Sequence, residues 1–277
     1  MTTKNIDWFG EIGCEGGPVL VANSDDFSHW FGAESLDPAD ATHVHFWSSF
    51  TSELPLKFQP NGPKGHQYLN SESPDALRET LIKTVVEQWP GAVINRDEPT
   101  WIAMLPDGRK LNVALSPSSE YDRATRNLES EGVHTFNERS ACYLWSVGPG
   151  IVRINVDSSR KFLLMTQVEF ANDDTDVQVA YEYAMTENKA SNGAGIQYRI
   201  SQGPIVVVWS PNSVKDLSPS IDFRNSKPSH AGTLMDLATD CSGASLWLEP
   251  GLYESTLNYY EKETWGVSWC LLRRISA

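Results

Sequence analysis

The stretch CEGGPVLVANSDDFSHWFG, residues 14–32, decides how the rest of the chain is read. Its apolar strand opens on Gly16, Gly17 and Pro18, passes through a polar turn with Asp25 and Asp26, and ends at Trp30-Phe31-Gly32. Loops that cradle phosphate lead into a helix N-terminus. Gly10, Gly13, Gly16 and Gly17 lead instead into a strand, with no Lys-Ser/Thr behind them, which argues against a phosphate role. The glycines read as a turn, and Pro18 as a strand-opening residue whose missing N–H costs no ladder bond.

The motif recurs. GGPVLVANS at 16–24 parallels QGPIVVVWS at 202–210, and each copy is followed by a polar stretch that turns away from the strand. Further on, ACYLWSVGPGIVR (141–153) parallels GASLWLEPGLYE (243–254), sharing Leu-Trp and Pro-Gly in order with spacing that differs by one residue. Two matches in the same order predict a divergent duplication. The expected domains are 1–188 and 195–277, joined by a linker at 189–194.

Most other segments are short apolar runs with turn residues between them: THVHFW, TWIAML, LNVAL, KFLLMTQVEF, VQVAYEYAM, ASLWL and WGVSWCLL. Asp107-Gly108 reads as a hairpin turn. One helix stands out in SPDALRETLIKTVVEQWPG, with Ser73 as cap, Pro74 at the first helical position, and a stripe of Leu77, Leu81, Val85 and Trp89 before the Pro90-Gly91 stop. The expected class is α+β, predominantly antiparallel β: two copies of a mostly-β domain, the first carrying an inserted helix-plus-hairpin unit at about 42–118.

The composition narrows function. With 277 residues and 40% apolar content the chain can bury a core, and 36 acids against 22 Lys plus Arg give a net charge of −14. That field repels nucleic acid and anionic membranes and attracts basic partners. No 18-residue apolar run and no basic-then-apolar leader is present, so a cytoplasmic location is expected. Cys14, Cys142, Cys241 and Cys270 lack metal-knuckle spacing and read as buried free thiols.

Chemistry-bearing patterns are sparse. His43 and His45 alternate on one strand, as metal ligands can, but no third ligand lies nearby in sequence, and the pair reads as structural. No nucleophile elbow is present, and no cysteine stands near a convincing histidine. No catalytic residue, metal or cofactor is therefore assigned. Ten tryptophans could fill cores or line a sugar-binding face, while Tyr259-Tyr260 and Trp30-Phe31 are candidate interface anchors.

The combination of CEGGPVLVANSDDFSHWFG with SEYDRAT (119–125) and ACYLWSVGPGIVRI resembles a family of bacterial polymorphic-toxin immunity proteins, the one numbered twenty-one. The matching positions are Gly16, Gly17, Pro18, Trp30, Gly32, Tyr121, Asp122, Arg123 and Ala124. Glu120 and Thr125 depart from the family's usual Asp and Cys. The resemblance implies a mostly-β scaffold that neutralises a cognate toxin, possibly a basic nuclease, by covering its active site or an adjacent surface. Acidic side chains would steer that encounter and aromatics would supply affinity. The first-choice contact set is Asp25, Asp26, Trp30, Glu34, Asp37 and Asp40, and the second is Asp173, Asp174 and Asp176. A Trp-rich ligand- or carbohydrate-binding β protein is the alternative, and a hydrolase the third reading.

Overall fold

A computed structural model describes residues 6–34, 36–47, 66–67, 74–96, 100–125, 128–136, 138–187, 195–216, 231–236 and 242–277. Residues 36–47, 66–67, 74–77, 100, 113–118 and 236 are described by backbone alone. The first strand, β1 (Ile6–Asn23), leads into a helical turn, α1 (Ser24–Phe27). Then come β2 (Leu36–Trp47), β3 (His66–Gln67), α2 (Pro74–Gln88), β4 (Val93–Asn95), β5 (Thr100–Met104), β6 (Lys110–Ser119) and α3 (Glu120–Thr125). They are followed by β7 (Glu131–Phe136), β8 (Ser140–Asp157), β9 (Phe162–Ala171) and α4 (Asp174–Thr186). The last elements are β10 (Gln197–Ile200), β11 (Pro204–Trp209), β12 (Gly232–Asp236), β13 (Ser242–Trp247), β14 (Gly251–Glu261) and β15 (Trp265–Ser276). Among the described residues every strand pair is antiparallel, as expected for an α+β, predominantly β chain.

Two compact units result: residues 1–32 with 128–277, and residues 33–127. This division falls elsewhere than the expected 1–188 and 195–277, because strands from both of those stretches share one sheet. The 189–194 linker and Cys241 lie outside the described residues.

The larger unit is a ten-stranded sheet organised by two 18-residue strands, β1 and β8, paired from Ile6↔Asp157 to Ala22↔Cys142. The strand does not begin at Gly16-Gly17-Pro18; it runs through them, and Pro149-Gly150 likewise lies inside β8. Past this point the neighbours change. Val19–Asn23 of β1 take β11 on their other side, and Ser140–Trp145 of β8 take β7. Val152–Val156 of β8 take β9 instead. One half of the sheet thus reads β7-β8-β1-β11-β13-β12 and the other β1-β8-β9-β15-β14-β10. The inward side chains of both halves meet in one core, with Val21, Tyr143, Val207 and Leu246 from the first and Ile154, Met165, Tyr253 and Cys270 from the second. Cys14, Cys142 and Cys270 are buried, and none of them forms a disulfide.

The same pairings occur twice in this sheet. β1–β8 has Cys14 opposite Gly150, and β10–β14 has Ile200 opposite Gly251. Each of these glycines follows a proline, and Ile200 lies 186 residues after Cys14. β7–β8 sets Gly132 against Leu144, and β12–β13 sets Gly232 against Leu246. The two Gly-Pro strands are themselves neighbours, β1 against β11.

α4 is a correction to the strand expected from VQVAYEYAM. Alternating Val177, Val179, Tyr181 and Tyr183 mimic a strand, but Asp173 caps the segment by accepting from Asp176 N at 2.9 Å, and Asp174 and Asp176 favour the positive end of a helix. Ala180 and Ala184 then lie against Phe162, Leu164, Trp265 and Trp269 on the outer face of β9 and β15.

The smaller unit is a five-stranded sheet, β3-β2-β6-β5-β4, carrying α2. Leu81, Ile82 and Val85 pack on Trp101, Ala103, Leu105 and Leu111, as the four-residue stripe predicts. The hairpin at Asp107-Gly108 closes with Leu105 N donating to Arg109 O at 2.8 Å. Asp107 accepts from Arg109 N and Nε, and the backbone N–H bond, with the guanidinium, holds its carboxyl below the usual range.

Candidate partner-binding surface

The opening motif is a structural clamp. Trp30, expected among the partner contacts, is fully buried; its indole N–H is shared between Ser210 O (3.0 Å) and Asn212 O (2.9 Å). Its own carbonyl accepts from Val214 N at 2.9 Å. Gly32 completes the clamp at φ +52°, where an added Cβ would lie 2.8 Å from Asn212 O and closer still to Pro211 O. Trp30 therefore cannot meet a partner; it fixes the turn after β1 to the turn after β11.

Asp25 is exposed on α1, whereas Asp26 accepts from Asn23 Nδ2 at 2.9 Å and belongs to the framework. Asn23 in turn accepts from Ser201 N (2.9 Å) and donates to Arg199 O (3.3 Å), joining the end of β1 to the end of β10. Tyr198 Oη, donating to Ala141 O at 3.2 Å, closes the same corner. The remaining first-choice acids fall in the smaller unit: Glu34 is exposed, and Asp37 and Asp40 lie on β2 with side chains outside the described residues. His43 and His45 are also on β2, their side chains likewise undescribed.

The SEYDRAT segment is α3. Ser119 Oγ accepts from Asp122 N at 3.1 Å, while the Asp122 carboxylate accepts from Ser119 N and Oγ at 2.7 Å each, a reciprocal cap. Arg123 pairs with Glu120 at 2.7 Å, Ala124 is buried and Tyr121 is half-buried. Gly16 and Gly17 take positive φ values inside β1, and Pro18 is buried beside them. These positions are scaffold.

The second-choice acids are gathered with others at one end of the larger unit. Asp173 caps α4, Asp174 is exposed, and Asp176 accepts from Thr264 Oγ1 at 3.2 Å. Asn172 N donates to Thr264 O at 3.0 Å, so the β9–α4 and β14–β15 turns touch, and Glu169, Glu261 and Glu263 join the three aspartates there.

On the sheet face turned away from α4, this end carries aromatics. Trp265, Val267 and Trp269 point into the α4 core, so Gly266 and Ser268 point the other way. Phe170 and Glu261 pair with Gly266, and Tyr259 pairs with Ser268. Phe170 lies over Gly266, whose Cβ would be 2.6 Å from the ring, and stays 41% exposed; Tyr259 is 56% exposed. Tyr259 Oη donates to Glu261 Oε2 at 2.7 Å and Ser268 Oγ to Glu169 Oε1 at 2.5 Å. The bond to Glu261, together with the charges of Glu261 and Glu169, raises the Tyr259 phenol above its ordinary value. Tyr260 instead stacks on Tyr183 at 4.2 Å under the α4 side, and Phe31 lies under Lys215 at 5.3 Å. Sequence reasoning found Tyr259 and the aspartates but not Phe170 or Glu261, which become neighbours only through β9–β15–β14 pairing.

Among the described residues no group of three or more His, Cys, Asp or Glu is placed to hold a metal. No helix there is long and apolar enough to cross a membrane. The fold defines an α+β protein, mostly antiparallel β, with an acidic and aromatic rim at one end of its main sheet. No protein family, curated protein or solved structure matches the chain at a significant level.

Proposed function

We propose that this chain is an immunity protein that binds and neutralises a cognate, basic bacterial toxin by covering its active site or an adjacent surface. It acts in the cytoplasm by binding alone, with no chemistry or cofactor of its own. The observation that carries the reading is the rim: exposed Phe170 and Tyr259 beside Glu169 and Glu261, at the end of the sheet where Glu263, Asp173, Asp174 and Asp176 also lie. Exposed aromatics are the usual anchors of a protein interface, and acids around them speed encounter with a basic partner. The net charge of −14 and the resemblance of Gly16, Gly17, Pro18, Trp30, Gly32 and the Tyr121–Ala124 segment to the immunity family point the same way.

The alternative, a Trp-rich sugar or ligand binder, requires exposed tryptophans. Of the nine tryptophans with described side chains, Trp30, Trp101, Trp145, Trp265 and Trp269 are buried and Trp8, Trp89, Trp209 and Trp247 half-buried. We also read the larger unit as two divergent copies of one β unit; the repeated pairings and the direct contact of the two Gly-Pro strands support this.

The test is co-expression with the toxin encoded beside the gene, followed by measurement of survival and of complex formation. Survival with a stable complex is expected. Survival without a complex removes the inhibitor reading.

A further inference from the structure

Resting on the reading of this chain as a partner-binding protein, we propose that the rim at Phe170 and Tyr259 is a receptor for an arginine side chain carried by a basic partner protein. The guanidinium plane stacks on the exposed aromatic face, and its N–H edges meet Glu169 and Glu261.

The geometry prepares both contacts. Phe170 is held over strand β15 because Gly266 offers no side chain beneath it. Tyr259 is tethered through its hydroxyl to Glu261 and remains exposed. Each glutamate has one oxygen engaged from within, Glu261 Oε2 by Tyr259 and Glu169 Oε1 by Ser268. In the proposed complex the other oxygen of each accepts from the guanidinium.

Charge decides the kind of guest. Glu169 and Glu261 both push the Tyr259 phenol toward its neutral form, so the rings sit in a negative field. Lys262, next along the chain, does not offset it here, because its ammonium is drawn over Trp265 on the α4 side at 5.3 Å. A ring face bordered by carboxylates suits a flat cation with donors around its edge, which is arginine rather than the point charge of lysine.

The test uses the intact chain, with labelled backbone amides, titrated with a Gly-Arg repeat peptide and with its Gly-Lys and Gly-Glu counterparts at low and physiological salt. The arginine peptide is expected to shift the amides of residues 166–171 and 258–268, to bind more tightly than the lysine peptide, and to weaken with salt. Phe170→Ala with Tyr259→Ala should weaken it by roughly five- to thirtyfold. Glu169→Gln with Glu261→Gln should weaken it and flatten its salt dependence. Tyr259→Leu keeps the bulk without the ring face and serves if an alanine variant melts early. Shifts spread over all acidic surfaces, equal binding of the lysine peptide, or full affinity in Tyr259→Leu overturn the proposal.

The two readings separate cleanly. A toxin bound equally well by the rim variants overturns the rim and leaves the immunity reading standing. Arginine-peptide binding at the rim in a chain that neutralises no toxin does the reverse.

Discussion

Val21 of β1 and Val207 of β11 face each other across an antiparallel pair, and they lie 186 residues apart, the same spacing that aligns GGPVLVANS with QGPIVVVWS. Each Gly-Pro strand therefore finds its hydrogen-bond partner in the other. Both valines are fully buried in the core shared by the two halves of the sheet.

Folding should reflect that dependence. β11 draws on β1, and β15 on β9, so residues 195–277 alone leave two strand edges unpaired and half the core uncovered. The isolated fragment is expected to show no cooperative melt, and mixing it with 1–188 should restore one. Independent folding of 195–277 would contradict this.

Gly32 and Gly13 make a matched pair. Gly32 combines a positive φ with carbonyl oxygens of Pro211 and Asn212 where a Cβ would go, so Gly32→Ala should cost about 1–3 kcal/mol or more. Gly13 has nothing within 4 Å of that position, and Gly13→Ala should stay within about 0.5 kcal/mol. Denaturant melts of the two variants check this.

Asn23 ties three elements through Ser201 N, Arg199 O and Asp26, so Asn23→Ala removes three part-buried bonds and should lower stability by about 1–3 kcal/mol. Tyr198→Phe removes one donor to Ala141 O and should cost about 0.5–1.5 kcal/mol. Because Asn23 N and Nδ2 both donate to Tyr198 Oη, the double variant should be less damaged than the sum of the two. A strictly additive result would separate the two sites.

Three tyrosines set an alkaline limit. Burial raises the phenols of Tyr143, Tyr198 and Tyr253; for Tyr143 the neighbouring Cys270 and Glu131 add to it. The folded chain thus holds protons that the unfolded chain releases near the ordinary value of 10.0. Stability from these groups is complete below that pH and falls as pH rises above it. Phenolate absorbance of these tyrosines should appear together with unfolding. Full phenolate absorbance in a chain that is still folded would refute the assignment.

Local signals were legible where local chemistry decides. The α2 stripe of Leu81 and Val85, the Asp107-Gly108 hairpin and the strands around PVLVA and PIVVVW follow from period, turn residues and β-branched runs. The segment VQVAYEYAM shows where alternation misleads. Its apolar positions fit a strand, but the Asp173 cap and the packing of Ala180 and Ala184 on the outer face of the sheet make it a helix. Trp30 looked like an anchor because Trp is common at interfaces. Its burial depends on carbonyls from Ser210 and Asn212, some 180 residues away, which no local pattern announces.

The sequence by itself determined the class of the fold and the acidity, because period, composition and turn chemistry are properties of a few neighbouring residues. Only the tertiary structure decided which strand edges join and which side chains remain outside. Those edges satisfy backbone groups far apart in the chain, and their joining sets Phe170, Gly266 and Glu261 in one row across β9, β15 and β14 while sealing Trp30 inside.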